Sequence, residues 1–299
     1  MTGICKKNAR KNKIQFRSWD MNSVKVKINK LFLGLTSVGM FFFLMLPAGL
    51  YANHFRYGTM SWEPISDNGT HITIRLKMQN GWTANHSDWN SYTAGEINNN
   101  YQVINWGDGT STSGSARPDF KVLSRDNTTN DTITEMGDSS SGWTAGVTHK
   151  YASAGTYVVY WSSSQRESVS NDPTNGLNWR NQTTVTPYFS ASNTSNSSPV
   201  SAVPSRVQVQ DNTTFNYQVG ATDADNDSLN FRWGTKAEFF SSSGDFTEPT
   251  GMTLSSTGLI EWNVLDNNSA IDTEEDDLWV AVIMVEDLYD NGSVKSHIP

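Results

Sequence analysis

Three aspartates alternate in the segment ATDADNDSLNF, where Asp223, Asp225 and Asp227 occupy every second position. Carboxylates this close repel one another unless they share a cation or face water, and repulsion raises the pKa of at least one. Calcium suits such ligands because it is a hard ion that accepts oxygen atoms in irregular geometry. An EF-hand does not fit, because its sixth and twelfth positions fall on Ser228 and Gly234 instead of Gly and Glu. The segment is therefore either another kind of calcium loop or a solvated turn, which Asp and Asn also favour.

The composition of the chain predicts an all-β fold. Of 299 residues, 36% are hydrophobic and only 17% are charged, and eleven tryptophans and ten tyrosines accompany many Ser, Thr, Asn and Gly residues. This mixture is poor in helix formers and rich in residues that suit strands and turns, and its aromatic content argues against disorder. No amphipathic helical pattern is evident, so we expect two immunoglobulin-like β-sandwiches in tandem.

Short alternating segments recur along the chain. HFRYGTMSW and THITIRLKM alternate in hydrophobicity, and Asn68-Gly69 between them is a strong hairpin signal. Residues 81–100 and about 115–146 are rich in polar residues and are predicted to be long loops. Further strands are predicted at YQVINW, VTHKYASAGTYVVYW, TTVTPYFSA, RVQVQ, FNYQVGA, LNFRW, MTLSS, LIEWNV and LWVAVIMVED.

The first 52 residues have the pattern of a secretory signal peptide. Nine basic residues precede position 31, and an uncharged apolar run follows at 31–52. Pro47 and the small residues near Ala52 indicate a cleavage region, and Met21 offers a shorter start with a more usual basic region. The alternative is an uncleaved membrane anchor, because the apolar run barely reaches spanning length.

Removal of this segment leaves an acidic protein without cysteine. The chain holds 22 basic and 30 acidic residues, of which residues 1–52 contain nine and one, so 13 and 29 remain, a net charge of −16. Such a surface repels nucleic acid and anionic lipid, which excludes nucleic acid as a partner. Cys5 is the only cysteine, so the exported part has no disulfide, thiol nucleophile or cysteine metal ligand. Its stability must come from its cores, with bound calcium as a common supplement.

The chain is predicted to contain two domains. Residues 193–205, NTSNSSPVSAVPS, hold small polar residues and two prolines without an apolar pattern, and they form the best candidate for a linker. This linker separates a first domain at 53–192 from a second at 206–299. Because the chain stops after a turn with a short closing strand, we expect the second domain to be truncated at its C-terminus.

Two segments of the first domain follow a known pattern, the turn WGDGT (106–110) and the later HKYASAGTYVV (149–159). They resemble the polycystic-kidney-disease (PKD) type of immunoglobulin-like domain. The resemblance covers only these segments, and the loop between them is longer than usual, so the domain looks like an embellished member. Asp108 is expected to cap the tight turn rather than to bind metal, with Trp106 and His149 packed beside it.

Three segments of the second domain occur in a known order: ATDADNDSLNF, PTGMTLSSTGLIEWNV and VEDLYDNGS. They resemble the dystroglycan-type cadherin-like family over most of residues 198–299. This resemblance implies an adhesion or ligand-binding repeat of a secreted or surface protein.

The cadherin-like resemblance also implies a calcium site gathered from separate loops at one end of the sandwich, near a linker. Asp223, Asp225 and Asp227 would supply one loop, and Asp287 and Asp290 the strand end that returns nearby. Solvated turns remain the alternative. The acidic run IDTEEDD more simply indicates a solvated loop or a charged guard of a strand edge.

No pattern of a common catalytic class occurs in the sequence. A nucleophile elbow, a zinc-binding H-E-x-x-H, a P-loop and a dinucleotide glycine motif are all absent, and nothing singles out a carboxylate pair for glycoside hydrolysis. If export left His54 as the first residue, its amine and imidazole would begin a copper site of the lytic polysaccharide monooxygenase kind. Cleavage after Ala52 would leave Asn53 first instead. We therefore predict a non-enzymatic protein.

Three tryptophans, Trp82, Trp89 and Trp143, lie in predicted polar loops. Exposed aromatic rings stack on sugars, so they predict a second possible function, a carbohydrate-binding accessory region of a larger secreted polysaccharide-active enzyme. The alternative is that the rings fill space beneath long loops. The tryptophans in strand patterns are predicted to be core residues: Trp62, Trp161, Trp233, Trp262 and Trp279.

The sequence thus predicts a secreted or cell-surface module for adhesion or recognition, in which calcium stabilises the second domain. Its partner is expected to be a protein or a glycan at a cell surface or in the matrix. Contact with the membrane is expected only through the N-terminal segment, if uncleaved, or through a C-terminal anchor.

Overall fold

The computed structural model describes residues 55–99, 101–164, 166–167, 169–171, 178–187, 196–204, 206–210, 213–240, 248–264 and 278–299. The predicted signal segment, Asn53 and His54, and the acidic run at 271–277 lie outside these ranges. Within the ranges, every helix is too short or too polar to span a bilayer.

The chain begins its fold with a long antiparallel hairpin. Strand β1 (Phe55–Asp67) pairs with β2 (Ile72–Thr83) from Phe55 opposite Trp82 to Asp67 opposite Ile72. The predicted turn at Asn68-Gly69 is confirmed, but β1 continues through residues 63–67, beyond the end of the expected strand HFRYGTMSW. Pro64 is tolerated there because β1 lies at the edge of its sheet, where a missing N–H leaves no ladder bond unmade.

The remaining strands of the first sheet show that the polar segment at 115–146 is not a loop. The segment contains a hairpin of two eight-residue strands. Polar residues in these strands alternate with buried residues such as Phe120, Val122 and Met136. The sheet order is β1-β2-β5-β4-β3, with β6 on β5 and β7 on β2. These strands are β3 (Ile97–Asn98), β4 (Asp119–Asp126), β5 (Asp131–Asp138), β6 (Thr144–Ala145) and β7 (Val147–Tyr151), with a 3-10 turn at Gly114–Ala116.

Strands β8 (Tyr157–Ser164) and β9 (Asn178–Val185) supply the opposite layer of the first sandwich. Aromatic rings dominate the core between the layers, and Phe55 stacks on Trp179 with ring centroids 3.7 Å apart. The expected strand at residues 101–106 is reduced to isolated bridges at Asn105, because this segment crosses from one layer to the other.

The second sandwich contains the remaining strands. One layer has the order β11-β15-β14, the other includes β13-β16-β17, and a short β10-β12 pair lies beside them. Val219, Phe231, Ile260, Val285 and Ile298 form its main core. The expected strand RVQVQ is not formed. The elements are β10 (Val200–Ser201), β11 (Thr213–Gln218), β12 (Ala221–Thr222), β13 (Ser228–Trp233), α1 (Lys236–Phe240), β14 (Met252–Leu254), β15 (Leu259–Val264), β16 (Ile283–Leu288) and β17 (Val294–Ile298).

One sheet runs through both sandwiches. Its order is β13-β16-β17-β9-β8, so β17 of the second sandwich pairs with β9 of the first, with His297 opposite Thr184. Tyr51–Pro299 accordingly forms one compact unit. The all-β class built from antiparallel sandwiches is confirmed.

The described part of the segment predicted as a linker is packed against the first sandwich. Ser198 is buried, its N–H donates to the carbonyl oxygen of Trp62 at 2.9 Å, and its hydroxyl accepts the Trp62 N–H at 2.8 Å. These bonds extend the edge of β1, so residues 196–201 approach the second sandwich along a fixed path.

Candidate metal site beside the sandwich junction

Asp223, Asp225 and Asp227 lie in the tight turn between β12 and β13. One carboxylate oxygen of Asp223 accepts the N–H groups of Asp225 at 2.8 Å and Asp227 at 3.0 Å. Asn226 adopts a φ of 63°, which Asn tolerates better than most residues. This folding brings ligand oxygens of the three aspartates within 4.8 Å of one another.

Asp287 approaches the same turn from β16. It is fully buried, and one carboxylate oxygen accepts the N–H and the hydroxyl of Ser296 at 2.7 and 2.6 Å. Its other oxygen accepts the side-chain amide of Asn196 at 2.5 Å, while the next residue, Ser197, donates its N–H to Asp225 at 2.6 Å. Residues 196–197 therefore connect the aspartate turn to β16.

Asp290 lies elsewhere. It occupies the exposed turn between β16 and β17, which closes through a bond from the Tyr289 N–H to the Ser293 carbonyl oxygen, and it is not among the clustered carboxylates. Of the five predicted ligands, the structure thus groups three and connects Asp287 to them.

Lys295 of β17 is the basic residue of this region. Its ammonium nitrogen lies 2.5 Å from Asp227, and both side chains are largely buried. Burial lowers the pKa of Lys295, but the hydrogen bond and charge of Asp227, together with the charges of Asp287 and Asp223, outweigh it and raise the pKa. We use the name acidic site for Asp223, Asp225, Asp227, Asp287, Asn196 and Lys295.

Burial also acts on Asp223. It raises the pKa of this carboxyl, and the neighbouring charges of Asp227 and Asp225 add to the shift, while the two backbone N–H donors oppose it. The ionised carboxylate of Asp223 is therefore stabilised less in the fold than in water, and a nearby positive charge would stabilise it.

Three oxygens of the acidic site are buried and accept no hydrogen bond from the described residues: one carboxylate oxygen each of Asp223 and Asp227, and the side-chain oxygen of Asn196. Buried acceptors of this kind cost free energy unless a donor or a cation satisfies them. Carboxylate and amide oxygens are the ligands that calcium prefers. The donor set consequently fits calcium, with residues from the turn and from the segment before β10.

Asn196, Ser197 and Lys295 were not identified from the sequence. Asn196 and Ser197 belong to a segment whose composition indicates a linker. The calcium site was predicted near a linker, but none of the linker residues was predicted as a ligand. A basic residue such as Lys295 does not suggest a cation site, so no sequence signal marked it.

The WGDGT turn is structural, as expected. Asp108 accepts the N–H and hydroxyl of Thr110 at 2.9 and 2.6 Å and lies 2.8 Å from a ring nitrogen of His149. Burial raises the pKa of Asp108, but these bonds to Thr110 and His149 more than offset it, so its pKa is lowered. The His149 ring stacks on buried Trp106 at 4.4 Å between centroids.

Two of the three tryptophans predicted to contact sugar are core residues, so that prediction is wrong for them. Trp82 lies in β2 and is 3% exposed. Trp89 lies within the segment 81–100 and is 0% exposed. Both rings pack against Tyr101. Trp143 is half-buried, with the Lys121 ammonium 4.5 Å above its ring and its indole N–H bonded to Glu135 at 3.1 Å.

The tryptophans predicted as core residues differ in depth. Trp62, Trp161 and Trp262 are buried, whereas Trp233 and Trp279 are only partly buried. Trp279 packs against the small cluster around Trp262.

A second group of charged residues lies on β13, β16 and α1 of the second sandwich. Arg232 binds Glu238 at 2.8 Å and Glu286 at 2.6 Å, and Glu238 also accepts the N–H of Thr235. Burial raises the pKa of Glu238, but the bonds from Arg232 and Thr235 outweigh it and lower the pKa to about 2. Each of these groups has a partner, which indicates a structural role.

Comparisons with known proteins gave two matches. Residues 56–188, less than half of the chain, match the family model described as integrin beta-like protein A-E, N-terminal. No curated protein sequence matches the chain. Among solved structures, the two tandem V-type regions of VCBP3, a v-region-containing chitin binding protein, match with 11% identity and a TM-score of 0.34, over 80% of this chain and 96% of that one. The specific resemblances to PKD and dystroglycan-type domains stay predictions.

Proposed function

We propose that this protein is a non-enzymatic extracellular recognition module, of the adhesion type, in which two sandwiches present their loops as one rigid body. The sheet shared by β17 and β9 carries this proposal, because a flexible pair of domains would not continue a hydrogen-bonded ladder across their boundary. A rigid body loses less conformational freedom on binding and transmits force between its ends.

The match to the N-terminal region of integrin beta-like proteins supports this class of function, since it covers the first sandwich. The acidic surface expected after removal of the signal segment also favours association with cationic surfaces over nucleic acid. Within the fold, Asp108 is bonded to His149 and Arg232 to Glu286, which supports a structural role for these groups.

We further propose that calcium binds at the acidic site. Asp223, Asp227 and Asn196 would hold it through their unsatisfied oxygens, with Asp225 and Asp287 contributing charge. The four converging carboxylates carry more negative charge than the single ammonium group of Lys295 can neutralise, and the ion would supply the missing positive charge. Asn196 and Ser197 would then be tied more firmly to the second sandwich, which would stiffen the path between β9 and β10.

The calcium proposal is tested on the whole exported chain (53–299), because the shared sheet makes separated domains unsuitable. With calcium at about a hundred times its Kd, the expected stabilisation is about 2.7 kcal/mol, measured as the difference in unfolding free energy with calcium and with chelator. Asp223→Asn combined with Asp227→Asn should abolish the difference, and Asp126→Asn, at the exposed end of β4 in the first sandwich, should retain it. Identical stabilities of the unmodified chain in calcium and chelator would refute the proposal.

The recognition proposal requires a binding assay on cells and on glycans. Beads carrying the exported chain should be retained on intact cells or extracellular matrix, and calcium chelation should reduce that retention. Retention confined to a glycan array would instead favour the carbohydrate-binding function. The burial of Trp82 and Trp89 argues against that function, because neither ring offers a face to solvent.

A further inference from the structure

Lys295 already places a positive charge in the acidic site. Its ammonium nitrogen lies 2.5 Å from the carboxylate of Asp227, and the charges of Asp287 and Asp223 act on it as well. Its side chain is only 18% exposed, so its ion pair with Asp227 is partly shielded from water.

The backbone of Lys295 cannot withdraw from the site. Its carbonyl oxygen accepts the hydroxyl of Thr186 at 2.7 Å, and the next residue, Ser296, is bonded to Asp287. Only the side chain is free to change position, and it already borders the ring of Tyr289, which can hold it as it leaves Asp227. The ammonium nitrogen is 5.2 Å from the centroid of this ring, which is 43% exposed on the turn before β17.

We propose that Lys295 is a built-in competitor of calcium: its ammonium group occupies the carboxylate of Asp227 when no ion is bound and must move toward Tyr289 when the ion arrives. This inference rests on the proposed calcium site and concerns how strongly that site binds. A divalent ion and an ammonium group that share one carboxylate repel each other, so part of the binding free energy is used to displace the lysine.

The competitor sets the calcium concentration to which the protein responds. A cluster of four carboxylates alone would favour tight binding, whereas an internal cation lowers the affinity toward the range of about 10⁻⁴ to 10⁻³ M that is typical of extracellular modules. The same lysine keeps the acidic turn folded when calcium is scarce, because it neutralises Asp227.

Calcium titration calorimetry on three variants of the exported chain tests this. Lys295→Gln removes the charge and should lower the calcium Kd roughly ten- to a hundredfold. Lys295→Arg keeps the positive charge that repels the ion, so its calcium Kd should stay within about threefold of that of the unmodified chain. Lys121→Gln removes the ammonium group above Trp143 in the first sandwich and should leave the Kd unchanged.

The possible outcomes separate this inference from the calcium proposal. A Lys295→Gln variant that binds calcium no more tightly than the unmodified chain overturns the competitor role. If only Lys295→Gln binds calcium, Lys295 blocks the site and is not displaced, so both the displacement of Lys295 and calcium binding by the natural protein are refuted. If neither binds while both remain folded, both proposals fail.

A measurement on the unmodified chain covers the case in which Lys295→Gln does not fold. Amine acetylation followed by mass spectrometry reports the accessibility of each lysine. Calcium should increase the labelling of Lys295 several-fold while Lys121 and Lys150 keep theirs. Unchanged or reduced labelling of Lys295 in calcium overturns the inference.

Discussion

His297 of β17 lies opposite Thr184 of β9, and this pair joins the sheet of the second sandwich to that of the first. The hydroxyl oxygen of Thr184 lies 2.9 Å from Nδ1 of His297, and the hydroxyl of Thr183 donates to the His297 carbonyl oxygen at 2.7 Å. Nε2 of the same ring lies 3.0 Å from the Thr184 hydroxyl and 3.7 Å from the carboxylate of Glu238. A titratable ring therefore lies at the junction of the two sandwiches.

We predict that mild acidification destabilises the protein through His297. Burial lowers the pKa of His297 and the charge of Arg232 adds to the shift, while Glu238, Glu286 and Asp287 oppose it. Because the folded pKa lies below the unfolded value of 6.5, the neutral ring stabilises the fold above that value. This stability is lost as the pH falls through 6.5 toward the folded pKa.

The measurement is the unfolding midpoint between about pH 8 and pH 5, in the unmodified chain and in His297→Gln. The variant should show a flatter dependence, because Gln keeps a polar group near Thr184 without titrating. His71→Gln, in the β1–β2 turn, is the matched control for replacing a histidine by glutamine away from the junction. Equal slopes for the unmodified chain and His297→Gln would contradict the prediction.

Ser198 should contribute measurably to stability, although it lies in a segment with the composition of a linker. Ser198→Ala removes the acceptor of the buried Trp62 N–H, and we expect a loss of about 1–3 kcal/mol. Denaturant unfolding measures this loss. The control is Ser66→Ala, at an exposed position of β1, the strand that contains Trp62; it should cost less than about 0.5 kcal/mol. Similar losses for both variants would argue against the packing of Ser198 on the first sandwich.

The sequence predicts the second sandwich better than its attachment to the first. LIEWNV forms a strand close to its expected bounds because its side chains alternate in burial. LNFRW also forms the expected strand, in which Phe231 is the buried residue. The pairing of His297 with Thr184 joins residues 113 apart in the sequence, and no local pattern encodes which edges will meet. Long-range strand pairing depends on the whole surface of both sandwiches, so the shared sheet could not be inferred from any one segment.

The acidic site could be predicted only in part, because some of its residues are close in the sequence and others come from distant strands. Asp223, Asp225 and Asp227 are local, so their spacing alone reveals the cluster. Asp287 required a resemblance to a known family, because it arrives from a distant strand. Lys295 is visible only in three dimensions, where β17 places it beside Asp227. Polar neighbours likewise concealed Trp89, whose burial follows from the packing of its loop against the aromatic core.

Trp89 should prove to be a stability residue and not a ligand contact. Because it is fully buried, Trp89→Ala should destabilise the protein by about 3–5 kcal/mol. Trp143→Ala, at a half-buried ring, should cost clearly less. Chemical denaturation compares the two. If Trp89→Ala keeps full stability but loses binding to a glycan, the assignment of Trp89 to the core is wrong.

Gly107 and Gly109 of the WGDGT turn provide a test of how this turn positions β8. Both have positive φ, 79° and 89°, so alanine strains the backbone at either position by about 1–2 kcal/mol. A side chain at Gly107 would in addition lie 2.8 Å from the carbonyl oxygen of Val158, whereas none of the surrounding atoms approaches one at Gly109 within 4 Å. Gly107→Ala should therefore lose about 1–3 kcal/mol more than Gly109→Ala, measured by denaturant unfolding. Equal losses would mean that β8 does not pack against the turn at Gly107.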